Sequence, residues 1–143
     1  RGLGYNPICV DISMRMAKAC QEKGLLSCVM DIENLGFADQ SFDGVWAYTS
    51  LLHFPKRNLP NILNSISAIL NRDGMLFLGM KEGEYDGYTH VHNEWETPRY
   101  AARYKDEELR KILSLDFDVL HHSQVKPDEE NAYLIFPQEI RLL

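Results

Sequence analysis

With 143 residues, 45% of them hydrophobic and 25% charged, the chain has the balance of one globular domain around a single core, spanning residues 1–143. A net charge of −6, with acids and bases interspersed and no basic stripe, argues against nucleic-acid binding. No apolar run reaches the roughly 18 to 20 residues of a membrane-spanning helix and no secretory signal is evident, so a cytoplasmic protein with no membrane partner is expected.

Asn6-Pro7 reads as a turn into a short apolar strand, Ile8-Cys9-Val10, that stops at Asp11. Ser13 can cap a helix running to about Lys23, with Met14, Met16, Ala17 and Cys20 as its apolar stripe and Gly24 as its stop. A second short strand over residues 27–30 ends at Asp31. Cys9, Cys20 and Cys28 are odd in number and lack a C-x-x-C spacing, which favours reduced thiols over metal ligands or a disulfide framework.

Residues 42–48 form a third, mostly apolar strand suited to burial on both faces. Beyond Pro55, Leu59, Ile62, Leu63, Ile66, Ile69 and Leu70 recur at helical spacing, with Asn58 and Pro60 suiting the helix start. Asn71-Arg72-Asp73-Gly74 is a turn, and residues 75–80 are a fourth buried strand.

Residues 81–104 are a polar and aromatic excursion, too rich in tyrosine for plain disorder. A helix over residues 106–115 follows, with Glu107 and Glu108 in its first turn. Residues 117–125 and 132–137 then read as an antiparallel strand pair. The order predicts an α/β fold with a mostly parallel sheet, helices on both faces and a C-terminal antiparallel hairpin.

In open α/β sheets ligands bind at the carboxyl ends of the strands, and two strands here end in acids, Asp11 and Asp31. An acid at such a position is able to accept hydrogen bonds from ribose hydroxyls, or simply to cap the next helix. The run Val10-Asp11-Ile12-Ser13, Asp31-Ile32-Glu33-Asn34-Leu35, Ser41-Phe42-Asp43-Gly44-Val45, Leu51-Leu52-His53-Phe54 and Leu70-Asn71-Arg72-Asp73-Gly74-Met75-Leu76 resembles, in order and spacing, the class I S-adenosylmethionine-dependent methyltransferases.

That resemblance implies a Rossmann-like fold, S-adenosylmethionine as cofactor, and methyl transfer to a small-molecule acceptor. It assigns the ribose hydroxyls to Asp11 with Ile12 beside it, and the adenine amino group to Asp31, with the Ile32 backbone N–H on the ring. Ala47 and Tyr48 would lie beside the methionine part of the cofactor, and residues 51–54, Leu52 among them, would close over it. Tyr104, before the last helix, would help shape the acceptor site. The family's first strand and glycine-rich loop would lie upstream of Arg1. Gly2-x-Gly4 is not that loop, because Pro7 stands where the third glycine belongs and a strand follows where a helix is required. The chain is therefore expected to be an N-terminally incomplete domain, with unpaired strand edges that a homo-oligomer could cover.

Methyl transfer from a sulfonium needs alignment and exclusion of water more than a fixed triad. His53 is the candidate general base for an acceptor that must lose a proton; alternatively it packs at the start of a loop. Trp95, Tyr100 and Tyr104 form either an aromatic wall for the acceptor or anchors for the long loop. Glu82, Glu84, Asp86, Glu94 and Glu96 read as a solvated acidic face, or as a contact for a basic acceptor. His90-Val91-His92 supplies too few ligands for a structural or catalytic zinc, and the adjacent His121 and His122 point to opposite sides of a strand, so no metal site is expected. Two other readings share the fold: a nicotinamide-dependent oxidoreductase, and a non-catalytic methyltransferase-like interaction domain that has lost cofactor binding.

Overall fold

A computed structural model describes residues 4–89, 98–119, 122–126, 132–136 and 140–142, and the chain folds as two compact units, Arg1–Phe37 and Ala38–Leu143. In the first unit, strand β1 (Ile8–Asp11) pairs in parallel with β2 (Leu26–Val29), and helix α1 (Met14–Glu22) makes the crossover. The Ser13 hydroxyl accepts from the Met16 N–H at 3.4 Å, and Gly24 leaves the helix at φ +74°, so the cap and the stop fall where the sequence places them. Of the expected apolar stripe only Ala17 is buried and Cys20 half-buried. Met14 and Met16 are exposed. The three cysteines are free thiols, and burial pushes the Cys9 thiol up, helped by the hydrogen bond it donates to the neighbouring Cys20.

The second unit is built on β4 (Leu70–Lys81), which is paired along both edges. On one edge lies β3 (Phe42–Tyr48), in parallel register with Val45 opposite Leu76 and Ala47 opposite Leu78. Helix α2 (Leu59–Ile69) makes that crossover. Between Phe42 and Gly44 on β3 the register jumps from Leu70 to Met75 on β4, so the expected turn at residues 71–74 loops out of the ladder. It closes so tightly that a Cβ on Gly74 would stand 2.8 Å from the Asn71 carbonyl oxygen.

After β4 come a hairpin of β5 (Asp86–Thr89) and β6 (Arg99–Ala102), and helix α3 (Asp106–Leu113). The strands β7 (Phe117–Val119), β8 (Ser123–Val125), β9 (Tyr133–Phe136) and β10 (Ile140–Leu142) complete the unit. β9 and β10 both pair antiparallel with β4, and β8 and β7 pair antiparallel with them in turn. The expected single strand over residues 117–125 is two: Ser123–Val125 pairs antiparallel with β9, whereas Phe117–Val119 pairs with β10.

The expected single, mostly parallel sheet differs from the one observed. β1 and β2 make a sheet of their own, and among the described residues β3–β4 is the one parallel pair in a six-stranded mixed sheet. Among the described residues β1 pairs with β2 alone and β3 with β4 alone, so each keeps one edge without a strand.

Alternation sorts the side chains of this sheet. Ala47, Leu76, Leu78, Met80, Leu134 and Phe136 share one face by register and are all buried, with Leu59, Ile62, Leu63, Ile66 and Ile69 of α2 completing the core. The other face is aromatic: Trp46 stacks on Phe77 with ring centroids 3.7 Å apart, and Tyr48 lies near Tyr133. α2 packs against β4 and α3, and α3 against β7. Ile66→Ala is expected to cost about 2–5 kcal/mol of stability, the ordinary loss for a deeply buried isoleucine, read as a shift in the urea unfolding midpoint at unchanged slope.

Candidate functional site

Parallel pairing brings the ends of β1 and β2 to one edge, and Asp11 stands opposite Val29 in the last register pair. The ladder runs one bond further, the Met30 N–H donating to the Asp11 carbonyl at 3.1 Å, so Asp31 follows directly on that edge. Both carboxylates turn back onto their own backbone. Asp11 Oδ1 accepts from the Ser13 N–H at 2.8 Å, and Asp31 Oδ1 accepts from the Glu33 N–H at 3.0 Å at the head of a short 3-10 turn, Ile32–Asn34. These bonds fix the carboxylates and leave Oδ2 of each without a hydrogen-bond partner among the described residues. Ile12 is exposed and Ile32 half-buried.

Such a pair of half-exposed, anchored acceptors fits the donors of a nucleoside, ribose hydroxyls and an amino group. Capping occupies only one oxygen of each carboxylate.

The remaining candidates belong to the second unit. Ala47, at 2% exposure, faces the core through its methyl group, because alternation along β3 turns it toward Leu78. Tyr48 faces the other way. Its ring covers Gly79, where a Cβ would stand 2.3 Å from the ring, so the tyrosine seat exists only because residue 79 is glycine. Thr49 follows at φ +54°, an uncommon conformation for a β-branched residue, held by its N–H donating to the Gly79 carbonyl at 2.9 Å.

The chain then makes two short 3-10 turns, Leu51–His53 and Lys56–Asn58. Leu52, expected over the ligand, is a core side chain at 6% exposure beside the fully buried Leu51. His53 is exposed, and its Nδ1 lies 3.0 Å from the Tyr100 carbonyl on β6. A carbonyl only accepts, so the neutral ring that makes this bond carries its proton on Nδ1 and presents a bare Nε2.

Tyr100 donates its hydroxyl to Asp86 Oδ1 at 2.9 Å; partial desolvation and this bond raise its pKa. Tyr88 meets the Tyr100 ring edge-on at 5.1 Å between centroids. Tyr104 departs from expectation: it is fully buried, so its ring is core rather than an open wall. Among the described residues its hydroxyl has no hydrogen-bond partner, and burial, with the Asp86 and Glu108 carboxylates, raises its pKa far above the ordinary 10.0. Trp95, His90, His92 and His121 lie outside the described residues. Among those described, no group of three His, Cys, Asp or Glu side chains could hold a metal ion.

The structure thus joins Asp11 and Asp31 in one unit, and His53 and Tyr100 in the other. Sequence reading missed Lys56 and Glu108 as participants, and gave Asp86 only as part of a solvated acidic face or a contact for a basic acceptor. Lys56 Nζ binds both Glu108 oxygens, at 2.8 and 2.7 Å, and lies 4.8 Å over the Tyr104 ring. No local pattern links residues 30 and 52 positions apart, so only the fold could show these contacts.

The conserved pattern of a methyltransferase domain matches residues 1–78. The chain belongs to the S-adenosylmethionine-dependent methyltransferase family. Solved methyltransferase structures share the fold. A protein from Methanosarcina mazei described as S-adenosylmethionine-dependent is 16% identical with a TM-score of 0.81, over 97% of this chain and 84% of its own. A protein from Pyrococcus horikoshii is 17% identical with a TM-score of 0.76, over 99% and 74%. The 1,6-didemethyltoxoflavin-N1-methyltransferase of Burkholderia thailandensis, with 1,6-didemethyltoxoflavin and S-adenosylhomocysteine bound, is 21% identical with a TM-score of 0.74, over 97% and 62%. This methyltransferase domain therefore spans 62 to 84% of the length of those relatives. No curated protein sequence matches it.

Tyr104→Phe removes a buried hydroxyl that has no partner among the described residues, so it is expected to be neutral or stabilising by up to about 1–3 kcal/mol. A clear loss in chemical denaturation would show that the hydroxyl is bonded. Because the folded state holds this phenol neutral, its contribution is present below pH 10 and is lost as pH rises through the higher folded pKa. Ultraviolet titration should accordingly show the Tyr104 phenolate appearing together with unfolding.

Proposed function

We propose that this domain transfers the methyl group of S-adenosylmethionine to a small-molecule acceptor. The observation that carries the reading is the pair of anchored carboxylates, Asp11 and Asp31, at the shared carboxyl edge of β1 and β2. In this reading Asp11 Oδ2 accepts from the ribose hydroxyls and Asp31 from the adenine amino group. The exposed side chain of Ile12 packs on the nucleoside, and the backbone of Ile32 meets the ring. The family resemblance assigns the amino-acid end of the cofactor to the backbone at Ala47, Tyr48 and Thr49. The cofactor, when bound, supplies an electrophilic methyl group.

His53 acts as general base through Nε2 if the acceptor must lose a proton, since its Nδ1 is engaged by a backbone carbonyl. Tyr100, with Tyr88 edge-on against it, forms an aromatic wall beside the histidine. Leu52 and Tyr104 support that wall from the core, and Trp95 belongs to the same excursion of the chain. The acceptor bound to the Burkholderia methyltransferase supports a small molecule as the substrate class.

Asp11→Ala is expected to weaken S-adenosylmethionine binding by about tenfold or more, the loss of a charge-assisted hydrogen bond of about 1.5–3 kcal/mol, measured by titration calorimetry. Unchanged affinity would remove Asp11 from the site, and binding of NADH instead would favour an oxidoreductase. His53→Gln should lower methyl transfer by about 10²–10⁴-fold for an acceptor that needs deprotonation, with cofactor affinity unchanged. An unaltered rate would leave His53 without a catalytic role.

A further inference from the structure

The His53–Tyr100 hydrogen bond joins two segments that no β-ladder connects. His53 ends the 3-10 turn after β3, whereas Tyr100 lies in β6, whose ladder partner is β5. A single oxygen ties these segments together. Asp86 Oδ1, at the start of β5, accepts the Tyr100 hydroxyl at 2.9 Å and the Lys56 backbone N–H at 3.2 Å. The first bond holds the residue that offers the carbonyl, and the second holds the chain three residues beyond the imidazole.

The loop closes on itself: His53 ring, Tyr100 carbonyl, Tyr100 side chain, Asp86, Lys56 backbone, and back through Pro55 and Phe54. From Lys56 the side chain continues to α3, where the ammonium binds both oxygens of Glu108. The exposed hydrogen bonds of His53, Tyr100 and Asp86 contribute little to net stability. Their value lies in geometry.

We propose that Asp86 and Lys56 are positioning residues for His53, fixing the imidazole with its proton on Nδ1 and its Nε2 lone pair outward. Lys56 acts through its backbone on the histidine segment and through its side chain on α3. Asp86 acts through its one shared oxygen. The inference rests on the base assignment for its use in catalysis, but the orientation itself is measurable without an acceptor.

Nitrogen-15 NMR of the imidazole, at a pH where the ring is neutral, reads the tautomer directly, and His53→Gln identifies the His53 signals by their loss. The wild-type protein is expected to show Nδ1 as the protonated nitrogen. Asp86→Ala should shift His53 toward the averaged tautomer of a free ring, and Tyr100→Phe, which keeps the ring and the backbone, should shift it in the same direction. Asp86→Asn keeps an acceptor oxygen and should hold the wild-type tautomer. A wild-type proton on Nε2, or a tautomer unmoved by Asp86→Ala, overturns the proposal. If instead the tautomer responds as expected while His53→Gln leaves methyl transfer unchanged, the positioning network stands and the base assignment alone falls.

Discussion

Parallel pairing delivers the ends of two strands to the same edge, and the functional geometry of this chain depends on that constraint twice. In the first unit it sets Asp11 and Asp31 side by side, each held by an amide two residues on. In the second it releases the chain after β3 and the chain after β4 on one edge, where the two excursions meet as His53 against Tyr100. An antiparallel pair would have sent them to opposite ends of the sheet.

The cost of that arrangement is borne by the connections. A parallel crossover needs a helix, and α2 supplies one whose apolar stripe is buried in full against the alternate residues of β4. The same alternation leaves Phe77 and Gly79 on the opposite face, where Trp46 and Tyr48 lie over them. Gly79 shows how local the requirement is: its missing Cβ is the space the Tyr48 ring occupies. Backbone strain collects beside it at Thr49, the residue that turns the chain from β3 toward His53. Strain of this kind persists where the surroundings hold it in place, here through a hydrogen bond to β4.

Polar groups in the second unit divide by their depth. Tyr104 is sealed in the core and kept neutral, its hydroxyl without a hydrogen-bond partner among the described residues, with the Lys56 ammonium over its ring. Asp86, Tyr100 and His53 are bonded to one another nearer the surface, where each bond contributes orientation more than stability. The buried tyrosine and the Lys56–Glu108 pair thus form a floor, and the exposed triad is what a ligand could meet.

The sequence by itself determined the elements whose physics is local. Leu59, Ile62, Leu63, Ile66 and Ile69 recur at the period of a helix face, Ser13 caps, Gly24 stops, and Asp11 ends its strand and Asp31 follows the next within the ordered motifs of the family. Only tertiary structure decided which side chains those elements present. Ala47 and Leu52 turned into the core because strand parity and the packing around Leu51 aim them there, and Tyr104 did so because the segment before α3 pairs with Glu82 beyond β4. The hairpin of β5 and β6 was hidden among polar and aromatic residues without alternation, and the contacts of Asp86 and Lys56 join positions far apart in the chain. Periodicity reports how a segment meets a generic core, whereas a hydrogen bond between distant residues exists only after the chain has closed the loops between them.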